Sequence, residues 1–508
     1  MKTIDNILNK ITMYRVVLYE LIGLLIVAGI LGFFGILSYP PINLFFSVTY
    51  ILAICWVVNK IFAWAYNAPS NPESTYITAL ILALIISPVL SLADLNFFIL
   101  ASSASALAMA SKYIFAIGKK HIFNPAAIAV VIAAFILDQS ASWWVGTASM
   151  LPFVLFGGFL ITRKLQRFDL VLGAIIANLI VTLGNSLMHN GNIFTLGWSV
   201  VISTPLIFFS TVMLTEPLTT PPNRYMRIFY GTFTGILLAP FIHIGAVYLT
   251  PELALVLGNI FSYFASPKKK LILTLKKIEK NSINSYDFIF IPDRQMVYRS
   301  GQYMEWTLAH KDSDSRGIRR YFTLASSPTE RELRLGVKFY NEGSSFKRKL
   351  LSMKEGESIV ASGLAGDFVL PKNKNKKLVF MAGGIGVTPF RSQIQYLIHK
   401  NEPRTITFLY VNKTADDVVY KEIFDKAEQT LGIKTTYALT SPDANLLKLP
   451  NSVRKIDTEV VAEQVPDYKE RIFYLSGPRS MVKSFEKLLQ SMGVKKSRIK
   501  TDFFPGFA

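Results

Sequence analysis

This 508-residue chain predicts a polytopic α-helical membrane bundle of about ten helices, followed by a small β-barrel and then an α/β domain with a parallel sheet. Three observations predict that order. Residues 1–267 are strongly apolar and nearly uncharged, with 12 Lys and Arg against 8 Asp and Glu. The rest of the chain holds 42 against 26 and opens on Lys268-Lys269-Lys270. Within that charged part, short alternating strands give way near residue 375 to strands that alternate with helices. The expected domains are therefore 1–267, 268–374 and 375–508.

The basic excess sits in the second half. It favours an anionic dinucleotide or an anionic lipid surface, and fits a merely solvated surface equally well. No basic module studded with aromatic residues is present, so nucleic acid is not an expected partner. Cys55 is the only cysteine, which excludes an intramolecular disulfide and a cysteine-ligated iron–sulfur cluster within the chain. His121, His189 and His243 are scattered through the apolar half and do not form the facing pairs that a membrane haem needs; His310 and His399 lie beyond it. No metal site is expected, and any electron transfer must rely on organic cofactors.

A bilayer-spanning helix needs about 20 mostly apolar residues. The sequence offers ten candidates, near 15–37, 43–65, 75–92, 95–115, 124–138, 147–162, 168–188, 195–215, 226–249 and 251–266. The first is too long for a signal-peptide core and reads as a retained anchor. Lys and Arg mark cytoplasmic loops. With the N-terminus inside, Lys2, Lys10, Arg15, Lys60, Lys112, Lys119, Lys120, Arg163, Lys164, Arg167, Arg224 and Arg227 all fall on one side. The opposite loops carry Asp94, Asp138 and Glu252 and no cation. The expected location is the cell's inner (cytoplasmic) membrane, multi-pass, with the N-terminus and the C-terminal half in the cytoplasm.

Three polar strings interrupt the inner side: Thr75–Leu80, His121–Ala127 and Thr215–Pro222. Singly they read as helix caps and first-turn prolines. Together they place hydroxyls, an amide and a carboxylate at one end of the bundle, where helix N-termini favour phosphate. The Phe-Asn-Pro-Ala-Ala string at 123–127 and the Thr-Glu-Pro-Leu-Thr-Thr-Pro-Pro string at 215–222 resemble the flavin-binding membrane subunits of the sodium-pumping NADH:quinone reductase and of Rnf complexes, over roughly residues 20–265. Those subunits carry FMN on a Ser/Thr-Gly-Ala-Thr string. The nearest match here is Gly146-Thr147-Ala148-Ser149, in which Ser149 replaces the acceptor Thr and Thr147 replaces Gly. The resemblance implies FMN at Ser149 or bound riboflavin; the same residues also read as a capped helix start after the interfacial pair Trp143-Trp144.

In the charged half, Leu271–Ile278, Phe288–Ile291, Gln302–Leu308, Tyr321–Ala325 and Arg334–Tyr340 read as barrel strands. Lys377–Met381, Thr405–Tyr410 and Ile472–Leu475 read as parallel strands, with helices near 389–400, 418–430 and 479–492. Arg320-Tyr321-Phe322-Thr323 combines residue types that flavin chemistry uses: a cation for pyrophosphate, a ring to cover the isoalloxazine, and a hydroxyl near its N5. Gly343-Ser344-Ser345 offers backbone and hydroxyl donors to a second phosphate. Gly383-Gly384-Ile385-Gly386-Val387-Thr388 follows a strand and opens a helix, so its backbone can approach a pyrophosphate, although it is not a G-x-G-x-x-G string. Ser476-Gly477-Pro478-Arg479-Ser480-Met481 follows another strand, and the chain ends Asp502-Phe503-Phe504-Pro505.

Order, spacing and ending together resemble the ferredoxin–NADP reductase family over about 270–508. That resemblance implies an FAD-binding barrel and an NAD(P)H-binding domain. It assigns Arg320, Phe322 and Thr323 to FAD and Gly343 and Ser345 to its phosphates. It assigns Gly383, Gly384, Gly386 and Thr388 to NAD(P)H, and Gly477, Pro478 and Met481 to the nicotinamide. Thr323 and Phe504 stand nearest the chemistry. Many relatives have Cys where Ser476 stands. The expected activity is transfer of electrons from NAD(P)H through FAD to a membrane flavin or quinone. The alternatives are a redox-driven Na⁺ or H⁺ pump, and a membrane-anchored reductase for a soluble acceptor. Membrane lipid, a quinone or other acceptor, and companion redox subunits are the expected partners. NADH and NADPH are not distinguished; Arg454 and Arg479 are the candidates for a 2′-phosphate.

Overall fold

The computed structural model describes residues 4, 8, 11–66, 72–117, 120–189, 193–221, 223–265, 270–310, 314, 318–340, 343–442 and 449–502. The chain divides into two compact units at residues 268 and 269.

The first unit is helical: α1 (Met13–Phe33), α2 (Pro41–Ala65), α3 (Pro72–Ile85), α4 (Leu95–Ile114), α5 (Pro125–Leu137), α6 (Leu151–Leu165), α7 (Phe168–Met188), α8 (Ile193–Ser203), α9 (Arg224–Leu237) and α10 (Pro251–Ala265). Local chemistry sets their starts. Thr12, Asp94, Asn124 and Asn223 each accept a hydrogen bond from a backbone N–H of the first turn, and prolines open α2 and α5. Among the described residues α1, α2, α4 and α7 are long and apolar enough to cross a membrane. Leu196–Ser203 and Leu206–Met213 would make a fifth span if counted as one, but they bend by 62° at their break. The other expected spans fall on shorter helices. In the expected span 226–249, α9 stops at Leu237, and His243–Ile244 pairs with Val247–Tyr248 in a small hairpin instead.

The second unit has two sheets. Strands β1 (Leu271–Lys280), β2 (Ser285–Pro292), β3 (Tyr303–Thr307), β4 (Arg319–Thr323), β5 (Leu333–Lys338) and β6 (Ser358–Ala365) form an antiparallel sheet in the order β4-β3-β6-β1-β2-β5. Register shifts interrupt the β1–β2 and β3–β6 ladders. Strands β4 and β5 are the ends of this six-stranded order, and just past β4 the Ala325 amide donates to the Arg334 carbonyl of β5 at 2.9 Å. Helix α11 (Ser345–Leu351) contributes Phe346 and Leu350 to its core.

The second sheet contains β7 (Leu378–Gly383), β8 (Ile406–Asn412), β9 (Lys434–Leu439), β10 (Ser452–Val453), β11 (Ile472–Ser476) and β12 (Ile499–Thr501), all parallel, in the order β10-β9-β8-β7-β11-β12. It is interleaved with α12 (Thr388–Lys400), α13 (Lys421–Leu431), α14 (Thr458–Gln464) and α15 (Arg479–Ser491). Alternate residues of β7 feed two cores. Leu378, Phe380 and Ala382 join the aromatic cluster of Phe390, Phe408 and Phe424, while Val379 and Met381 join that of Phe473, Phe485 and Leu489. The chain winds outward from β7 to β10, then returns to lay β11 on the other side of β7. The connections therefore part between β7 and β11, and an open parallel sheet binds ligands outside the carboxyl ends of its strands at such a point.

Candidate functional site

Two loops meet at that switch point. Gly383–Val387 leaves β7 and Gly477–Pro478 leaves β11. A Cβ on Gly386 would lie 2.6 Å from the Gly477 nitrogen and 2.8 Å from the Ser476 carbonyl carbon. A Cβ on Gly383 would strike the Met481 sulfur and sit 3.1 Å from the Pro478 ring. A Cβ on Gly477 would in turn lie 3.0 Å from the Gly383 nitrogen, so Gly383, Gly386 and Gly477 all sit in close loop packing. Gly384 differs: it has a positive φ of 51°, open space at its Cβ position, and a carbonyl that accepts a hydrogen bond from the Tyr410 hydroxyl at 3.2 Å. The structure brings together Gly383, Gly386, Gly477, Pro478 and Met481, and Thr388 opens α12 directly behind them.

Arg320, Phe322 and Thr323 lie on β4, the edge strand of the antiparallel sheet, so one side of its backbone is not engaged by the ladder. The buried Arg320 guanidinium lies 5.4 Å over the Phe346 ring and 3.8 Å from Asp314. Phe322 packs on the same Phe346, with ring centroids 6.0 Å apart. Ser345 is buried and already engaged: its amide donates to Asp314 Oδ2 at 2.8 Å, and its hydroxyl accepts from the Asp314 amide at 2.9 Å and lies 3.0 Å from His310 Nε2. A phosphate there would have to displace the Asp314 carboxylate. Gly343 lends its carbonyl to Arg348. Phe504 lies outside the described residues.

The sequence reading missed the acid that joins the two lobes. Thr323 is buried at the end of β4, Ser476 is buried at the end of β11, and Asp502 follows β12. The Ser476 hydroxyl donates to Asp502 Oδ2 at 3.2 Å, and the Thr323 hydroxyl lies near enough to stabilise the charge of this carboxylate. Burial, opposed by those two hydroxyls, pushes Asp502 up from 3.8 to about 7. Between those values the folded protein keeps a proton that the unfolded chain has lost. The group's contribution to stability is therefore full below pH 3.8, declines across the window and is gone above about 7. Asp502→Asn should remove this slope, so that urea midpoints show the variant gaining on the wild type as pH rises from about 4 to about 7.

The lobes are also fastened behind the site. Asp287, fully buried on β2, pairs with Arg334 Nη1 at 2.6 Å and accepts from the Tyr420 hydroxyl at 2.5 Å. Gly336 leaves the room: a Cβ there would lie 2.6 Å from the Tyr420 oxygen and 2.8 Å from Thr388 Cγ2. Arg391 of α12 holds Glu330 with both terminal nitrogens, at 2.5 and 2.9 Å, and the Ser392 hydroxyl donates to the Ser326 carbonyl at 2.6 Å. No sequence motif flagged Tyr420 or Asp287.

In the helical unit, two of the polar strings meet. His121 Nε2 lies 3.2 Å from Glu216 Oε1, Asn124 Nδ2 donates to Glu216 Oε2 at 2.9 Å, and Asn259 Oδ1 accepts from the Asn124 amide at 2.7 Å. Asn259 in turn donates to the Tyr230 hydroxyl at 2.9 Å. The Thr75–Leu80 string begins the largely buried α3, where the Thr78 hydroxyl bonds its own helix at Ser74. Ser149 is half-buried in the turn before α6, after Gly146, whose missing Cβ leaves room for Pro205.

Comparison with known proteins bears on the second unit. Residues 380–487 match the family model described as oxidoreductase NAD-binding domain. The chain is 25% identical over 240 residues to the flavohemoprotein of Bacillus subtilis (strain 168), covering 46% of this chain and 59% of that one. It is 24% identical over 241 residues to flavohemoprotein A of Dictyostelium discoideum, covering 45% and 58%. The flavohem-like FAD/NAD binding domain of nitric oxide dioxygenase from Vibrio cholerae O1 biovar El Tor is similar at 23% identity, over 46% of this chain and 98% of that one, with a TM-score of 0.41. The chain spans less than two thirds of the length of these curated relatives. The C-terminal half is an FAD- and NAD(P)H-binding oxidoreductase module of the ferredoxin–NADP reductase-like kind, similar over that half to flavohemoproteins.

Proposed function

We propose that the chain is a membrane flavoprotein that passes electrons from NAD(P)H through FAD to an acceptor in its helical half, either a bound flavin or a quinone. The carrying observation is the meeting of Thr323, Ser476 and Asp502, which brings the edge strand of the FAD lobe to the mouth of the nicotinamide crevice. FAD, when bound, supplies hydride acceptance and one-electron release. The residues supply position. The loops at Gly383–Val387 and Gly477–Met481 would seat the dinucleotide, and Arg320, Phe322 and Thr323 would hold the flavin. The Asp502 carboxyl, pushed up to about 7 by burial, keeps its proton beside the Thr323 hydroxyl below neutral pH. Apolar helices on the N-terminal side support placement in the inner membrane, with the reductase module in the cytoplasm.

The test is anaerobic titration of the purified full chain with NADH and with NADPH, after extraction and counting of its flavins. Bleaching by one of them, then recovery on adding a short-chain quinone, is the expected result. A chain without flavin, or flavin that dithionite bleaches and neither nucleotide does, overturns the reading. Ser149 is the proposed attachment point for FMN. On a denaturing gel the wild type should fluoresce and Ser149→Ala should not, while both retain extractable FAD.

A second reading, a redox-driven cation pump, has one observation in its favour. The Glu20 carboxylate of the apolar α1 rests directly on Gly157 of α6, and the structure gives it no hydrogen-bond partner among the described residues. Acids in such helices are costly and are kept for function. Turnover in proteoliposomes that depends on Na⁺ or H⁺, and loses that dependence in Glu20→Gln, would select it.

A further inference from the structure

We propose that the second unit carries a binding site for a phosphate-bearing anion at the amino ends of its parallel strands, opposite the nicotinamide crevice. A cavity of about 230 Å³ opens there, lined by Arg299, Lys372, Lys374 and Arg404, with Glu402 its one carboxylate. Tyr298, Tyr396, Pro328 and Pro371 complete its walls. Lys372 and Lys374 precede β7 and Arg404 precedes β8, so the cavity lies at the amino ends of these strands. The glycine loop leaves the other end of β7, about 17 Å away at about 3.3 Å per residue. The two sites are therefore separate.

The walls are fixed before any ligand arrives. Three consecutive carbonyls are held by donors from three elements: Val369 by the Tyr474 hydroxyl at 2.8 Å, Leu370 by Arg299 Nη2 at 3.0 Å, and Pro371 by Arg404 Nη1 at 2.9 Å. Arg299 belongs to the FAD lobe and Arg404 to the NAD(P)H lobe, so the cavity is built by both. Its charge is unbalanced. Glu402 serves Arg404 and Lys374, both at 2.7 Å. Arg299 and Lys372 face no carboxylate among the described residues. Lys500, whose ammonium lies 3.0 Å from the Tyr474 hydroxyl, is held below its ordinary value chiefly by burial, against the opposing charge of Asp367 and with the help of Arg299.

Arg404 spends its fork on Glu402 and the Pro371 carbonyl, which leaves Arg299, Lys372 and Lys374 to face an anion, a set that suits a dianionic phosphate better than a carboxylate. The volume admits a phosphate with a small group attached, and the tyrosines and prolines give that group an apolar wall. A free phosphate monoester and a lipid headgroup share this chemistry. Either would link Arg299 to Lys372 and Lys374 beside Arg404, where the two lobes meet, a role that goes beyond the electron-transfer reading and does not depend on it.

The test is thermal unfolding of the full chain in neutral detergent, with inorganic phosphate or glycerol phosphate against chloride at equal ionic strength. Both phosphates should raise the unfolding temperature by at least about 2 °C near saturation. Arg299→Ala combined with Lys372→Ala also removes the Arg299–Leu370 bond, so it should unfold somewhat below the wild type in chloride, and the further rise in phosphate should be lost. Equal temperatures in phosphate and chloride, or an undiminished rise in the double variant, overturn the site. So does a phosphate effect that raises only the KM for NADH, since that places the anion in the nicotinamide crevice. Repeating the titration in nanodiscs identifies the source. Loss of the response in phosphatidylglycerol but not phosphatidylcholine assigns a headgroup, and a response kept in both assigns a free phosphate.

Discussion

Asp287→Ala is expected to cost the second unit about 3–5 kcal/mol, enough to unfold a marginal domain at growth temperature. The reason is what the alanine leaves behind. Arg334 keeps only Glu279, at 2.8 Å, while the Tyr420 hydroxyl loses its acceptor inside the seam between the lobes. A charge stripped of its buried partner pays a desolvation penalty with nothing to offset it. Asp287→Asn keeps the shape and an acceptor, and should cost less, about 1–3 kcal/mol. Tyr420→Phe removes one hydrogen bond to a charged group and belongs in the same lower range. Urea unfolding followed by flavin release orders the three. If Asp287→Ala costs under about 1 kcal/mol, the network does not hold the lobes. Additivity is a second check, because Asp287→Ala and Tyr420→Phe share a bond and their combined cost should fall short of the sum.

The residues in that network carry no sequence signal, and the reason is geometric. Asp287 sits mid-strand, where an acid reads as a solvent-facing residue, and Tyr420 precedes a helix with a positive φ of 63°. Their meaning comes from a contact across 133 positions. The Gly383–Thr388 and Gly477–Met481 strings were legible because each is local, a turn between a strand and a helix. The reason for three of those glycines was not local. They are small because the two loops touch each other, a packing demand that looks in sequence like a phosphate-approach demand. Asp502 was in plain view beside Phe503, yet its role needs β12 to pair with β11 and bring it to Ser476. Strands β6, β9, β10 and β12 escaped for another reason: Ser358–Ala365 is mostly Ser, Ala and Gly, which show no alternation. Lys434–Leu439 begins with Lys and two threonines, and the other two span only two and three residues, too short for an alternation to register. In the helical half, apolar runs located helices but not their lengths. Hydropathy does not show where a hairpin at 243–248 or the 62° bend after Ser203 interrupts a span.

Gly386→Val should lower nicotinamide-dependent flavin reduction by about 100-fold or more while leaving flavin bound. The atoms that a side chain would meet at position 386 are main-chain atoms, the Gly477 nitrogen and Cα and the Ser476 carbonyl carbon, and none is the end of a flexible side chain. The β11 loop would have to move away from the β7 loop. That loop begins at Ser476, whose hydroxyl bonds Asp502 beside Thr323, so the shift disturbs the junction where nicotinamide and flavin must meet. Reactive geometry tolerates little: a displacement of about 1 Å costs about 100-fold. Arg320 and Phe322 are held apart from the collision by Phe346 and by β3, so the flavin should stay bound. Stopped-flow bleaching by NADH or NADPH should therefore collapse while dithionite bleaches the variant as fully as the wild type. Loss of flavin together with activity would show that the loops support the fold as a whole. An unchanged rate would place hydride transfer somewhere other than the crevice between β7 and β11.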